Sequence, residues 1–343
     1  MNPRGFASDN SAGVHPAVLD AIAQANEGHA FGYGHDRWTE QVEELFRDQF
    51  GPVASVFLVW GGTAANVLSL RAACRPWEAA ICSDCAHLNV DEAGAPEAIA
   101  GVKLLDLATE HGKLTPTAVE GAVVRIGDEH AVQPRVLSIS QATELGTVYS
   151  REEVVALSEL AHGHGLVVHM DGARLSNAAA ALGCSLGDLT TDTGVDMLSL
   201  GGTKSGLLGA EAVVFLKPEL ADGFQYLRKQ SLQLASKMRF LAAQFEALLT
   251  DELWRALASH ANAMAARLAA AVGELSGVTV THPVQSNAVF ATLRHDAIEP
   301  LREQFPFYVW DESRDEVRWM CSWDTTEEDI ERFVRAAAAV LAS

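Results

Sequence analysis

Two apolar runs in this chain, Leu166-Val167-Val168 and Val195-Asp196-Met197-Leu198-Ser199-Leu200, each end in a short polar segment. The first leads into His169-Met170-Asp171-Gly172-Ala173-Arg174, the second into Gly201-Gly202-Thr203-Lys204-Ser205-Gly206. Short apolar runs bounded by turn residues read as buried strands. Buried strands alternating with helical stretches belong to a mainly parallel sheet covered on both faces, an α/β fold. Ligands of such sheets sit in the crevice at the carboxyl ends of the strands. One strand end therefore delivers a carboxylate, Asp171, and another an amine, Lys204.

Lysine is scarce here, which narrows the choice of amine. The chain has Lys103, Lys113, Lys204, Lys217, Lys229 and Lys237. Lys103 and Lys113 read as surface residues, Lys217 precedes Pro218, and Lys229 and Lys237 fall in a basic helical segment. Only Lys204 follows an apolar strand within a Gly-rich bend, where a ring could approach the backbone closely. Desolvation there would lower its pKa and make it nucleophilic. Taken alone, a surface lysine in a flexible loop explains the motif equally well. A third piece is Gly61-Gly62-Thr63-Ala64, which follows the expected strand Val56–Trp60 and opens a helix. Free N–H groups at a helix start, with a Thr hydroxyl, form an anion site, although the same residues also make an ordinary N-cap. An amine for a Schiff base, a carboxylate for a pyridinium nitrogen and a phosphate cradle together match pyridoxal phosphate (PLP).

Composition limits the other readings. A net charge of −20 argues against a nucleic-acid partner, and no apolar run reaches the roughly 18 residues of a membrane span. Five cysteines, an odd number, point to reduced thiols and a cytoplasmic location. Cys82-Ser83-Asp84-Cys85 has no second pair, so no metal is expected. The strand and helix pattern divides the chain into an N-terminal arm (1–14), a PLP-binding large domain (15–245) and a small C-terminal α+β domain (246–343). Ser150-Arg151-Glu152-Glu153 reads as a capping box. Two long helices are expected over 223–249 and 251–275.

With these motifs placed, the chain resembles the fold-type-I PLP enzymes (the PLP-dependent transferase-like fold) and, among them, the L-threonine aldolase family. The resemblance runs from Ser8-Asp9-Asn10 through Tyr33-Gly34, Gly61-Gly62-Thr63-Ala64-Ala65-Asn66 and His87 with Glu92-Ala93-Gly94 to Val317-Arg318-Trp319. Its most specific parts are the Asp171 and Lys204 segments. Gln141-Ala142-Thr143-Glu144-Leu145-Gly146 and Leu234-Ala235-Ser236-Lys237-Met238-Arg239 look most like the low-specificity and phenylserine aldolase branch.

The resemblance implies roles for individual residues. Lys204 would carry the cofactor, with Thr203 beside it, and Asp171 would pair with the pyridinium nitrogen. At about 4 Å and an effective dielectric of about 20, such a pair is worth about 4 kcal/mol. His87 would stack on the ring, and Gly62 and Thr63 would hold the phosphate. Ser8, Arg174 and Arg318 would grip the substrate carboxylate or the cofactor's phenolic oxygen, as a planar guanidinium fork does well. Lys237 would reach the phosphate and Tyr33 would line the site, both from a neighbouring subunit of a homodimer or homotetramer with shared active sites. One departure stands out: Glu144 occupies the place where many threonine aldolases have histidine. The base for the β-hydroxyl proton is therefore open between Glu144, His87 and a water. The implied reaction is retro-aldol cleavage of a small amino acid substrate, an L-β-hydroxy-α-amino acid, to glycine and an aldehyde. β-Eliminating lyases and aminotransferases use the same fold and residues, and a non-catalytic PLP-binding protein is a further alternative.

Overall fold

The computed structural model describes residues 4–343; residues 1–3 of the expected arm lie outside the described residues. Seven strands form the first sheet: β1 (Ser55–Val59), β2 (Glu78–Ser83), β3 (Lys103–Leu107), β4 (Gln133–Ser140), β5 (Val167–Gly172), β6 (Met197–Gly201) and β7 (Glu211–Phe215). Their order is β1-β7-β6-β5-β4-β2-β3. Strands β2 to β6 pair in parallel, whereas β7 runs antiparallel to both β6 and β1. The sheet is thus mainly parallel, as expected.

Neighbouring residues along the central strands enter opposite cores. Val168, Leu198 and Val214 pack in one cluster, and Val167, Met197 and Val213 in the other. Side chains alternate across a strand, so a strand covered by helices on both faces must be apolar at consecutive positions. That is why these runs show no polar alternation in the sequence.

A second sheet, β8 (Val278–Val280), β9 (Ala288–Leu293), β10 (Tyr308–Asp311) and β11 (Glu316–Met320), is antiparallel in the order β10-β11-β9-β8. Its core gathers Phe305, Phe307, Trp319 and Phe333, joined by Phe6 from the start of the chain. The Phe6 N–H donates to Pro306 O at 2.7 Å, and Met320 N–H donates to Phe6 O at 2.8 Å.

Ser150 and Glu153 form the expected capping box, and Thr326 and Asp329 form another before the last helix, Glu327–Leu341. The single helix expected over 223–249 is two, Phe224–Gln230 and Arg239–Leu249. Leu232 adopts a left-handed φ of 65° between them, and Gln233 Oε1 instead accepts the Trp60 N–H at 3.1 Å. A tertiary hydrogen bond overrides local helical preference there. The helices Leu175–Leu182 and His295–Arg302 and strand β8 are further elements that the pattern reading did not assign.

Candidate active site

The strand register places the chemistry on one edge. Ser140 lies opposite Asp171, Asp171 opposite Ser199, Gly201 opposite Glu211, and Glu211 opposite Val59. The ends of β1, β4, β5 and β6 therefore open side by side, and the Gly61, Glu144, Asp171 and Lys204 segments leave the sheet together. A cavity of about 720 Å³ opens there, lined by Ser8, His87, Glu144, Arg174, Lys204 and Arg318, with Tyr308 and Trp310 from β10.

Lys204 sits in a single helical turn, Thr203–Ser205, directly after β6. The bend needs glycine because a Cβ at Gly201 would lie 2.5 Å from Ala173 O. The Arg174 guanidinium, followed by burial, pushes the Lys204 amine below its usual pKa. A depressed amine is more often neutral and so nucleophilic.

Asp171 is buried, and burial alone would raise its pKa. The charge of Lys204, the Ala173 N–H and the Asn66 amide outweigh burial and hold it below the usual carboxylate range. Asn66 Nδ2 donates to Asp171 Oδ2 at 2.8 Å and Ala173 N–H to Oδ1 at 3.0 Å. An anionic carboxylate in a dry pocket suits a pyridinium nitrogen.

His87 starts the turn after β2. Its Nδ1 lies 2.9 Å from Glu92 Oε1, and its main-chain N–H donates to Glu144 Oε1 at 2.9 Å. The Glu92 hydrogen bond, against the opposing effect of burial, raises the His87 pKa. Burial likewise raises that of Glu144. Glu144 Oε1 also accepts from Ser140 Oγ, while its Oε2 is buried with no hydrogen-bond partner among the described residues.

The two arginines differ. Arg174 is engaged in bidentate fashion by Asp9, Nε to Oδ2 at 2.7 Å and Nη2 to Oδ1 at 3.0 Å, and Asn287 Nδ2 adds a third contact to Asp9 at 3.1 Å. Asp9 thereby ties the start of the chain to both sheets. Among the described residues, the one hydrogen bond of the Arg318 side chain is Nη2 donating to Ala7 O at 3.2 Å, and its guanidinium lies over the rings of Tyr308 and Trp310. Its Nε is buried without a partner, and burial lowers its pKa to about 10. A largely desolvated guanidinium with no carboxylate partner among the described residues therefore lines the cavity, and its planar fork suits a carboxylate. Ser8 lines the same wall, and its Oγ accepts the Asn10 N–H at 3.1 Å.

The helix Gly62–Ala73 starts with no capping side chain, and nothing stands within 4 Å of where a Cβ on Gly61 or Gly62 would lie. Gly62 and Thr63 are exposed. Open N–H groups beside open space fit a phosphate. On the other side of Lys204, Glu211 Oε2 accepts the Gly202 N–H at 2.9 Å, and burial raises the Glu211 pKa to about 6.

Tyr33 and Lys237 do not line this cavity. Both are exposed and lie close together on the surface, with Tyr33 N–H donating to Ser236 O at 3.0 Å and Lys229 over the Tyr33 ring. Asp9, Asn66, Glu92 and Glu211 carry site geometry that the motif reading did not assign. The available signal was a polar residue inside an apolar stretch, as in Gly-Ala-Glu211-Ala-Val-Val.

Residues 5–295 match the beta-eliminating lyase family. The chain is 45% identical over 338 residues to the low-specificity L-threonine aldolase of Pseudomonas aeruginosa, covering 98% of this chain and 97% of that one. It is 43% identical to the low-specificity L-threonine aldolase of a Pseudomonas species, covering 98% of each. Among solved structures it superposes on the threonine aldolase of Leishmania major with a TM-score of 0.93 at 34% identity, covering 99% of this chain and 100% of that one.

Proposed function

The chain belongs to the beta-eliminating lyase family, and from that premise we propose that it is a PLP-dependent aldolase cleaving L-β-hydroxy-α-amino acids to glycine and an aldehyde. Threonine, allo-threonine and phenylserine are the proposed substrate types. The observation that carries this reading is the shared edge on which a depressed lysine amine, a stabilised buried carboxylate and an uncapped helix start open together. That donor set fits PLP, which Lys204, Asp171, Gly62, Thr63 and Thr203 would hold, with His87 as the wall against the ring. When bound, PLP supplies an electron sink for the pair released when a bond at Cα breaks.

The chain's own residues then select which bond breaks. Arg318, with Ser8 and the free Nη1 of Arg174, fixes the substrate carboxylate and so the rotation about Cα. Glu144 Oε2, buried and unpaired among the described residues, takes the β-hydroxyl proton, and burial, by raising its pKa, makes the ionised carboxylate a stronger base. His87, pinned to Glu144 through its main chain, presents its imidazole to the same space.

Lys237 and Tyr33 are proposed to serve a neighbouring subunit's site in a homodimer or homotetramer. Exposed Phe31, Tyr33, Trp60 and Leu232 around them support this. No helix among the described residues is long and apolar enough to cross a membrane. All five cysteines are unpaired thiols, which supports a cytoplasmic location.

The test is to incubate the protein and PLP with L-threonine, L-allo-threonine and phenylserine and to quantify glycine. Glycine with equimolar aldehyde is expected. A keto acid with ammonia would instead indicate β-elimination, a keto acid with pyridoxamine phosphate an aminotransferase, and no product a non-catalytic binder.

A further inference from the structure

Glu92 lies five residues after His87, outside the cavity lining, and is 4% exposed. Its Oε1 faces His87 Nδ1 at 2.9 Å and accepts from Asn66 Nδ2 at 2.9 Å. Asn66 Nδ2 gives its other proton to Asp171 Oδ2 at 2.8 Å. We propose that Glu92 is a positioning residue: it holds the His87 imidazole in the tautomer that leaves Nε2 to the cavity and, through Asn66, ties that ring to Asp171.

Elementary donor and acceptor chemistry leads to this assignment. An ionised carboxylate only accepts, so the His87 nitrogen facing Glu92 must carry a proton. In the neutral ring the second nitrogen is then the lone-pair acceptor, and it belongs to the side chain that lines the cavity. The Asn66 amide is fixed the same way, because its oxygen cannot face two carboxylates. The His87 main chain is already held by Glu144, so side-chain rotation is its remaining freedom, and Glu92 removes it. Glu92 Oε2 and Asn66 Oδ1 are buried without hydrogen-bond partners among the described residues. Leaving polar atoms in that state costs stability, so the array is poorly explained as a stability device.

The inference deepens the aldolase reading and rests on it for the effect on turnover, while the tautomer is independent of activity. The charges facing His87 are Glu92 from its own segment, Glu144 after β4, Asp171 at the end of β5 and Lys204 after β6. The experiment is ¹⁵N NMR of histidine-labelled holoenzyme, with the His87 signal assigned by its loss in His87→Asn. The expected wild-type ring is protonated on Nδ1 when neutral and titrates above the usual 6.5. Glu92→Gln is expected to lower that midpoint by about 1 unit and to reduce kcat about 10–100-fold with KM nearly unchanged. Glu92→Asp, which keeps the charge, should lie between the two. A wild-type ring protonated on Nε2 would overturn the proposal without any variant, as would an unmoved midpoint in Glu92→Gln. Absence of glycine from a wild-type enzyme with the expected tautomer would instead count against the aldolase reading.

Discussion

The edge of the large sheet and the core of the small domain solve opposite problems. The small-domain core is built from edge-to-face aromatic pairs, with Phe333 against Phe6, Phe305, Phe307 and Trp319. The large-sheet edge instead gathers buried charge: Asp171, Glu92 and Glu211 are each less than a tenth exposed. Among the described residues, Glu144 Oε2 and Glu92 Oε2 there, and Arg318 Nε reaching in from β11, have no partner, against the single indole Nε1 of Trp319 within the aromatic core. Apolar packing of the first kind supplies stability. Unsatisfied polar groups of the second kind subtract from it, at about 1–3 kcal/mol each, and are sustained because the rest of the fold over-determines them. Arg318 lies at the boundary, on a small-domain strand whose side chain reaches the cavity, and Asp9 fastens the two regions together.

If this division holds, substitutions at the edge should change turnover and those in the small core should change stability. Lys204→Ala is the strongest test: visible absorbance from the cofactor–lysine link and all turnover should be lost, with the fold intact by circular dichroism. Asp171→Asn should keep the cofactor but lose most of the rate, since the neutral amide cannot stabilise a protonated ring nitrogen; near-normal kcat would remove Asp171 from the chemistry. Glu144→Gln should lower kcat about 10²–10⁴-fold. The group must be ionised to take a proton, and burial raises its pKa. Wild-type activity should therefore fall on the acid side at a higher pH than a solvated glutamate would give, and the variant should lose that limb. Arg318→Lys gives up the planar fork and should mainly raise KM for the amino acid. Phe333→Ala should leave kcat at low temperature unchanged while costing about 3–5 kcal/mol in urea unfolding. A direct loss of kcat in that last variant would break the comparison.

How much of this was visible in the sequence follows the same line. Strand ends are local, so the Asp171 and Lys204 segments could be placed from their apolar runs, and Gly61-Gly62-Thr63 from the strand before it. The mainly parallel sheet followed from short apolar strands alternating with helical stretches. What escaped depends on partners far along the chain. Asp9 and Arg174 are 165 residues apart, and Asn66 and Asp171 are 105 apart. No periodicity shows that the Arg174 fork is occupied while that of Arg318 is open. The break near Leu232 escaped for a related reason: residues 223–249 look helical by composition, and only the distant Trp60 N–H shows why Gln233 leaves the helix.

The central claim is that Lys204 is the amine of the cofactor site. Borohydride reduction of the PLP-loaded protein, followed by peptide mapping, tests it most directly. The pyridoxyl mass should appear on the peptide containing Lys204 and on none of the peptides carrying Lys103, Lys113, Lys217, Lys229 or Lys237. A tag on any of those five with Lys204 unmodified would contradict the account.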